Sequence, residues 1–367
     1  MSEHPTDRQH RIAYRIALNF EDGATSFIDC NAGETVLDAA YRSNINLPMD
    51  CSNGVCGACK CRCEQGDYDL GNEYLEDALT EGEAAEGMVL VCQMQVSSDC
   101  IIAVPVPSAA CKVKPAEHGA VVSSIERVAD STFVLRLRLD APEAVDFLPG
   151  QFVNLTVPGT DQHRSYSFSS KPGAGEASFL IRTIPGGVMS TWLATDAAVG
   201  TRISFVGPQG SFFLRDIDRP TILLAGGTGL APILSMLEVL ADRGPGQPIH
   251  LIYGVTSDGD LVGLPGIKAL AARLPTMTWA SCVADRQTTH PLQGYVTEHL
   301  TDEHLNAGNC DIYLCGPPAM VEAVRVFLRD RRIQPQHFYY EKFAPRKNDL
   351  GHGTIWIGAF FANCPPV

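Results

Sequence analysis

The chain has 367 residues, of which 45% are hydrophobic and 19% charged, so its composition is that of globular proteins and its length predicts two or three domains. A net charge of −14 disfavours nucleic acid and anionic membranes as partners, because both bind basic surfaces. No apolar run is long enough for a transmembrane helix and the first residues lack the apolar core of a signal peptide, so a cytoplasmic protein without a membrane partner is expected.

Residues 1–108 predict a small α+β domain. Alternating apolar residues on either side of a Glu-Asp-Gly turn are typical of a β-hairpin, a helical repeat follows, and two apolar runs indicate further strands. These elements are expected at residues 12–18, 26–28, 36–41, 88–92 and 100–106. Prolines in the polar segment after residue 106 should exclude helix and sheet, so residues 109–118 are interpreted as a linker.

Residues 119–217 and 218–343 predict two further domains of different class. Short strands and one helix indicate a closed antiparallel barrel in the first, at 120–126, 132–139, 151–157, 164–169, 178–183, 201–206 and, for the helix, 187–197. In the second, apolar strands alternate with helices, which is typical of a doubly wound parallel sheet. Its strands are expected at 221–225, 249–253, 278–283 and 311–315, and its helices at 231–243, 264–273 and 317–330.

Thirteen cysteines in a chain without a secretory signal indicate free thiols or metal ligands rather than a disulfide framework. Four have the spacing of a plant-type 2Fe–2S ferredoxin: Cys51, Cys56, Cys59 and Cys92. The residues between the first three are small or turn-forming, so that backbone amides can approach the sulfurs. Zinc is the competing interpretation, although zinc sites usually group cysteines as two close pairs. The nearby Cys30, Cys61 and Cys63 are expected to be packed thiols.

Two motifs in residues 119–217 indicate a dinucleotide site. The strand segment Arg164 to Ser169 combines a cation for a phosphate, the aromatic face of Tyr166 for a ring system, and hydroxyls for hydrogen bonds to a ring edge. Further along, Pro185 to Thr191 places glycines directly before a helix, whose N-terminal amides can bind a pyrophosphate. Gly207 to Gly210 is interpreted as a turn that closes the barrel.

The last domain contains a second candidate nucleotide site. Gly226 to Pro232 joins a strand to a helix, where glycines allow backbone amides to approach phosphates. After the next strand, Asp258 and Asp260 could hydrogen-bond a ribose 2′-hydroxyl and would repel a 2′-phosphate, which favours NADH over NADPH. The segment Cys315-Gly316-Pro317 ends a strand at the carboxyl edge of the predicted sheet, where the thiol could contact a nicotinamide. An inert buried cysteine is the alternative.

Taken together and in this order, the motifs resemble the reductase components of benzoate and anthranilate dioxygenase systems. These are one-chain enzymes with a β-grasp 2Fe–2S ferredoxin domain, an antiparallel β-barrel that binds FAD, and a doubly wound NAD-binding domain. The resemblance covers about residues 10–343 and rests on the cysteine, Arg164 and Gly226 motifs described above. It also rests on three further segments: Tyr74 to Thr80, Cys315 to Pro318 and Tyr340 to Phe343.

The resemblance implies a role for each residue of the flavin site. Arg164 would bind the FAD pyrophosphate, Tyr166 would pack on the isoalloxazine, and Ser167 would hydrogen-bond near flavin N5. Glu341 and Phe343 would close over the other face of the flavin. The helix start would hold phosphate as well, through Gly187, Met189 and Ser190.

The resemblance also implies the nicotinamide site and the direction of electron flow. The NADH phosphates would lie on Gly227, Thr228 and Gly229, and the nicotinamide near Cys315, which makes Cys315, Ser167, Glu341 and Phe343 the candidate catalytic residues. Electrons would pass from NADH to FAD, then to the cluster, and then to a terminal Rieske-type oxygenase of aromatic hydrocarbon catabolism. Residues 1–108 hold 18 of the 42 acidic and six of the 28 basic residues, so the acidic ferredoxin domain is expected to dock on that oxygenase.

Two alternatives stay open at this point. The same order of domains occurs in reductases of soluble di-iron monooxygenases such as phenol hydroxylase, and a non-catalytic electron carrier would also explain the cysteine motif. In addition, residues 344–367 extend beyond the length that is usual for the resembled family.

Overall fold

The computed structural model describes residues 13–49, 54–112, 115–142, 145–244 and 246–343. Their strands form three large sheets, which follow one another along the chain, and one two-stranded ribbon. The predicted cluster ligand Cys51 and the segment 344–367 lie outside the described residues. Within the described part of the chain, no helix is long and apolar enough to cross a membrane.

The first sheet is mixed and has the β-grasp arrangement. The strands of this domain are β1 (Ala13–Phe20), β2 (Thr25–Asn31), β3 (Lys60–Gln65), β4 (Tyr68–Asp69), β5 (Met88–Leu90), β6 (Gln95–Val96) and β7 (Cys100–Val104). The sheet has the order β2-β1-β7-β3-β5, with β1 and β7 parallel, and β4 and β6 form the separate ribbon. Helix α1 (Val36–Arg42) buries its apolar residues in the domain core, and the shorter α2 (Glu81–Ala85) is capped by Thr80.

Two parts of this region differ from the prediction. Strand β3 and helix α2 were not expected, because both are short and mostly polar and so lack a periodic apolar pattern. The segment interpreted as an unstructured linker contains a 3₁₀ turn at Ala110–Lys112, and a strand begins at Ala116. Pro107 and Pro115 precede these two elements, so the N–H that proline lacks is not needed for the hydrogen bonds of the turn or of the strand.

The second sheet is a six-stranded antiparallel barrel. Its strands are β8 (Ala116–Ala129), β9 (Thr132–Leu139), β10 (Phe152–Thr156), β11 (His163–Ser167), β12 (Glu176–Arg182) and β13 (Arg202–Gln209), in the order β11-β10-β13-β8-β9-β12. A bridge between Phe168 and Phe179 joins the two ends of this order. Helix α3 (Val188–Thr195) follows β12. The predicted turn from residue 207 is wrong, because Gly207 to Gln209 continue β13 with a cis peptide bond before Pro208.

The third sheet is parallel throughout, as predicted. Its strands are β14 (Thr221–Gly226), β15 (Ile249–Val255), β16 (Met277–Val283), β17 (Asp311–Gly316) and β18 (His337–Lys342), in the order β16-β15-β14-β17-β18. The helices of this domain are α4 (Leu230–Arg243), α5 (Leu264–Arg273), α6 (Asp302–Leu305) and α7 (Pro318–Asp330). Helices α4 and α5 share one apolar cluster with the sheet, and α7 contributes to another. From β14 the chain adds strands first towards one edge of the sheet, with β15 and β16, and then towards the other, with β17 and β18. Doubly wound folds bind ligands at such a switch point, which lies here between β14 and β17.

The edge strand β18 was not predicted from its pattern. Its six residues are polar or aromatic and five of them are half-buried, so neither a continuous apolar run nor a strict alternation marks it. The predicted fold class, a β-grasp domain followed by an antiparallel barrel and a doubly wound parallel sheet, is confirmed.

Candidate active site

Backbone atoms of β14, β17 and the loop after β14 pack against each other at the carboxyl edge of the parallel sheet. A Cβ atom on Gly229 would lie 2.2 Å from the carbonyl oxygen of Cys315, and one on Gly226 would lie 3.4 Å from the Cα atom of Gly316. Only glycine permits this contact at residue 229. Gly227, by contrast, has no atom within 4 Å of the corresponding position. The loop residues Gly227, Thr228 and Gly229 form a 3₁₀ turn that leads into α4, which leaves room above Gly227 for a phosphate.

The two predicted ribose acids follow β15 but have different surroundings. Both oxygens of Asp260 accept hydrogen bonds, from Ser131 at 3.1 Å and from Ser257 at 2.8 Å. Asp258 is exposed and accepts a hydrogen bond from Thr288 through one oxygen, at 2.5 Å. Asp258 is therefore the better placed of the two to meet a ribose hydroxyl.

Three of the predicted catalytic side chains converge where the barrel meets the parallel sheet. Ser167 ends β11, and its hydroxyl donates a hydrogen bond to Oε2 of Glu341 at 3.3 Å. Cys315 lies directly opposite Glu341 in the parallel pair β17 and β18, with its Sγ 4.0 Å from the same oxygen. Phe343, the first described residue after β18, donates its N–H to the carbonyl of Gly316 at 2.9 Å.

The Cys315 thiol is completely buried. Burial, with a smaller effect of the Glu341 carboxylate, raises the pKa of Cys315 well above its usual value. The thiol is therefore a neutral group at the end of β17 and not an activated nucleophile.

The predicted FAD residues are distributed along β11 and at the start of α3. The Arg164 guanidinium donates to the carbonyl of His163 at 2.9 Å and to the side chain of Gln162 at 3.1 Å. Tyr166 is half-buried and packs against the barrel core. Both side chains lie on the strand that ends at Ser167, so the strand presents a cation, a ring and a hydroxyl in sequence.

Helix α3 begins at the predicted glycine segment. Gly187 is its N-cap residue, and the Ser190 hydroxyl accepts a hydrogen bond from the N–H of Ile184 at 2.9 Å. Gly187 makes no side-chain cap hydrogen bond, so the first amides of the helix can hydrogen-bond an anion. Met189 is 2% exposed and packs inside the barrel core, so only its backbone can contact a phosphate.

Gly210 belongs to this region but was not identified as a site residue. A Cβ atom there would lie 2.8 Å from the ring of Phe152 and 3.7 Å from Oε1 of Glu341. The sequence predicts a turn from Gly207 to Gly210, and only the position of β18 next to the barrel shows its relation to Glu341.

Three of the four predicted cluster cysteines are described, and they lie in and opposite the loop before β3. The backbone N–H of Ala58 donates to the Cys56 sulfur at 3.4 Å, and the side-chain amide of Gln93 donates to the Cys92 sulfur at 3.8 Å. The neighbouring Cys92 sulfur, together with burial, raises the pKa of Cys59. Ionising two adjacent thiols is therefore unfavourable unless a cation lies between them. Bound iron would be such a cation.

Gly54, in the cysteine loop, is packed tightly on the segment that follows β4. A Cβ atom on Gly54 would lie 2.6 Å from Cβ of Tyr74, and the N–H of Leu75 donates to the Gly54 carbonyl at 2.9 Å. The described residues contain no complete group of three His, Cys, Asp or Glu side chains arranged around one metal ion. A 2Fe–2S cluster instead distributes four thiolates over two irons, and the remaining candidate, Cys51, is outside the described residues.

Family models match all three regions of the chain. The 2Fe-2S iron-sulfur cluster binding domain matches residues 19–97, the oxidoreductase FAD-binding domain residues 119–214, and the oxidoreductase NAD-binding domain residues 223–326. The three cofactors predicted from the motifs, a 2Fe–2S cluster, FAD and NAD, are thereby confirmed, and zinc is excluded as the interpretation of the cysteine motif.

Known proteins match nearly the whole chain. The toluate 1,2-dioxygenase electron transfer component of Pseudomonas putida is 54% identical over 333 residues, 91% of this chain and 99% of the relative. The 2-halobenzoate 1,2-dioxygenase electron transfer component of Burkholderia cepacia is 47% identical, with the same coverage.

Among solved structures, a cytochrome P450 reductase of Amycolatopsis is similar, with 31% identity and a TM-score of 0.67, over 90% of this chain and 99% of that one. The oxidoreductase domains exclude the interpretation as a non-catalytic carrier. The extent of the match and the order of the three domains lead to one conclusion: this chain belongs to the family of electron transfer components of aromatic 1,2-dioxygenases.

Proposed function

We propose that this chain oxidises NADH and passes the electrons, through FAD and a 2Fe–2S cluster, to the Rieske-type terminal oxygenase of a dioxygenase system that hydroxylates benzoate-type aromatic acids. The observation that carries the proposal is the meeting of Ser167, Cys315 and Glu341 at the junction of the barrel and the parallel sheet. A hydride donor held by the sheet and an acceptor held by the barrel would meet at this point.

Bound FAD would supply the conversion between two-electron hydride chemistry and one-electron transfer, which no side chain can perform. The chain would hold and orient it. Arg164 would pair with the pyrophosphate, and the uncapped start of α3 at Gly187 and Ser190 would donate amides to the same group. Tyr166 would cover one face of the ring system, and Phe343 the other.

At the ring edge, the polar pair Ser167 and Glu341 would orient the reacting atoms. Ser167 is 4% exposed, so its hydroxyl is held in a site from which water is nearly excluded. It can donate either to Glu341 or to an acceptor atom of a bound ring. Cys315, neutral and buried next to Glu341, would lie near the nicotinamide without reacting with it.

NADH would lie on the edge of the parallel sheet. The 3₁₀ turn of Gly227, Thr228 and Gly229 presents backbone amides at the start of α4. Asp258 is exposed after β15 and would accept a hydrogen bond from the ribose 2′-hydroxyl, whereas a 2′-phosphate would be repelled. NADH is therefore the expected donor in preference to NADPH.

The cluster would be held by Cys51, Cys56, Cys59 and Cys92. The donors from Ala58 and from Gln93 to two of these sulfurs would stabilise negative charge on the cluster and so adjust its reduction potential. The acidic excess of the first 108 residues favours an oxygenase with a basic docking surface.

Reconstitution with purified oxygenases tests the proposal. The holoprotein and NADH are mixed with a benzoate-type dioxygenase, a di-iron phenol hydroxylase, or neither, and the uptake of oxygen with the appropriate aromatic substrate is recorded. Substrate-dependent uptake with the dioxygenase is expected. Coupling to the di-iron enzyme alone would favour the alternative acceptor, and the 54% identity to a dioxygenase component argues against that outcome.

A further inference from the structure

Glu83 is the most deeply buried acidic side chain among the described residues, with 1% of its surface exposed. It lies in the first turn of α2, where the N–H of Thr80 donates to its Oε2 at 2.9 Å. Capping a short helix at the surface does not require a buried charge. Because a carboxylate removed from water is costly unless cations and donors surround it, its other partners indicate what it contributes.

Those partners come from two domains. Oε1 of Glu83 accepts from Lys60 Nζ at 2.7 Å, from Arg325 Nη1 at 2.8 Å, and from the Tyr340 hydroxyl. Lys342 Nζ lies 3.6 Å from Oε2. Lys60 is in the ferredoxin domain, whereas the other three are on α7 and β18 of the NAD-binding domain. One carboxylate therefore connects the first domain to the third.

The charges around Glu83 make it indispensable to this contact. Three cations, Lys60, Arg325 and Lys342, surround the Glu83 carboxylate, and Arg325 has a second, exposed partner in Glu86. Burial opposes the ionisation of Glu83, but the attraction of Lys60 and its hydrogen bond outweigh this and lower the pKa of Glu83 to about 2. Without the negative charge the three cations would repel one another inside the interface.

The contact lies between the predicted cluster site and the predicted flavin site. Lys60 directly follows the predicted cluster ligand Cys59, and Tyr340 directly precedes Glu341. Lys60 Nζ also donates to the Tyr340 hydroxyl at 3.2 Å. Neighbouring residues of a strand point to opposite sides, so Tyr340 contacts the ferredoxin domain while Glu341 contacts Ser167 in the barrel.

We infer that Glu83 is a positioning residue for electron transfer from the flavin site to the iron–sulfur cluster, because it holds the cluster side of the ferredoxin domain on β18. The inference rests on the proposed function. A second contact holds the ferredoxin domain independently of Glu83. Arg215, between β13 and β14, donates to Glu21 at 3.1 Å and to the Pro105 carbonyl at 3.0 Å, and both acceptors belong to the ferredoxin domain. Loss of Glu83 should therefore loosen one edge of the interface rather than detach the domain.

The test compares Glu83→Gln with the wild-type holoprotein by stopped-flow absorbance. With NADH, reduction of the flavin should keep its wild-type rate within about twofold, whereas reduction of the cluster should become slower by about tenfold or more. The absorbance spectrum of the oxidised cluster should be unchanged. Small-angle X-ray scattering of the same variant should show a larger maximum dimension than the wild type, because the ferredoxin domain is less tightly docked.

Glu86→Gln is the matched control, because Glu86 follows the same helix and contacts the same Arg325, but at 3.4 Å and with 60% of its side chain exposed. It should behave as the wild type. If Glu83→Gln does not fold, Arg325→Gln removes a partner from the other side of the interface and should also slow cluster reduction alone. Equal slowing of both steps, or unchanged cluster reduction, would overturn the inference. Failure of the wild type to reduce its cluster would instead contradict the proposed function.

Discussion

Ser167 and Glu341 are 174 positions apart in the chain, and the hydroxyl of the first donates to the carboxylate of the second at 3.3 Å. The hydrogen bond crosses from the last residue of a barrel strand to the edge strand of the parallel sheet. In the proposed function, a barrel-bound flavin and a sheet-bound nicotinamide would meet here, on the strand that also contacts the ferredoxin domain.

Replacing Ser167 with alanine should slow the reduction of FAD by NADH by about tenfold, equivalent to about 1.4 kcal/mol, because one oriented hydrogen bond is lost. The affinity for NADH should be unchanged, since Ser167 is not part of the glycine turn at the start of α4. Rapid-mixing measurements at several NADH concentrations separate the two quantities. Ser204→Ala is the control, as its hydroxyl donates to Thr156 between barrel strands at 3.2 Å. An unchanged limiting rate in Ser167→Ala would refute the assigned role.

Substitution of Cys56 with serine should abolish the visible absorbance of the cluster and the reduction of cytochrome c, because the thiolate is a ligand. NADH should still reduce the flavin, since that site is formed by the other two domains. The matched control is Cys61→Ala, which removes a fully buried thiol two residues after Cys59 and should retain the cluster absorbance. Simultaneous loss of flavin and cluster in Cys56→Ser would contradict independent sites.

Gly229→Ala should raise the KM for NADH and lower the melting temperature, because the new methyl group would lie 2.2 Å from a backbone oxygen of β17 and would push the turn away from the sheet. Steady-state kinetics and thermal unfolding check both effects. Gly266→Ala is the comparison: this glycine is inside α5 with no atom within 4 Å of the added methyl, so the change should be neutral or stabilising by about 1 kcal/mol. Similar behaviour of the two variants would exclude the proposed close packing.

The stability of the protein should fall when the pH is lowered from about 7.5 to about 5, in part because of His250. Burial, and then the charge of the stacked His304, lower the pKa of His250 to about 4. In this range the unfolded chain takes up a proton at this residue and the folded chain does not, so acid favours unfolding. Glu83 remains ionised there, because its pKa is about 2.

Melting temperatures at the two pH values check this prediction. His250→Asn should show a smaller decrease than the wild type, while His163→Asn, which removes an exposed imidazole, should show the wild-type decrease. If the His250 variant is as sensitive to acid as the wild type, the imidazole does not contribute.

Much of the molecule was predictable from the sequence because the responsible signals are local. Strand β9 was predicted at 132–139 and helix α5 at 264–273, and both have these limits in the structure. An apolar period of two or of 3.6 residues is a property of one segment, and so is the spacing of Cys51, Cys56 and Cys59. The cofactors and the family follow from such motifs in their order along the chain. The assigned roles of the site residues and the limits of the domains stay predictions.

The sequence by itself thus determined the class of each domain, the cluster motif and the glycine segments that precede α3 and α4. Only the tertiary structure decided that residues 337–342 form an edge strand, that this strand brings Glu341 to Ser167 and Cys315, and that Glu83 lies buried against Tyr340. The physical reason is that these contacts join segments from different domains. Their formation depends on how much surface the packed domains bury together and on which charges are enclosed there, and no local periodicity contains that information.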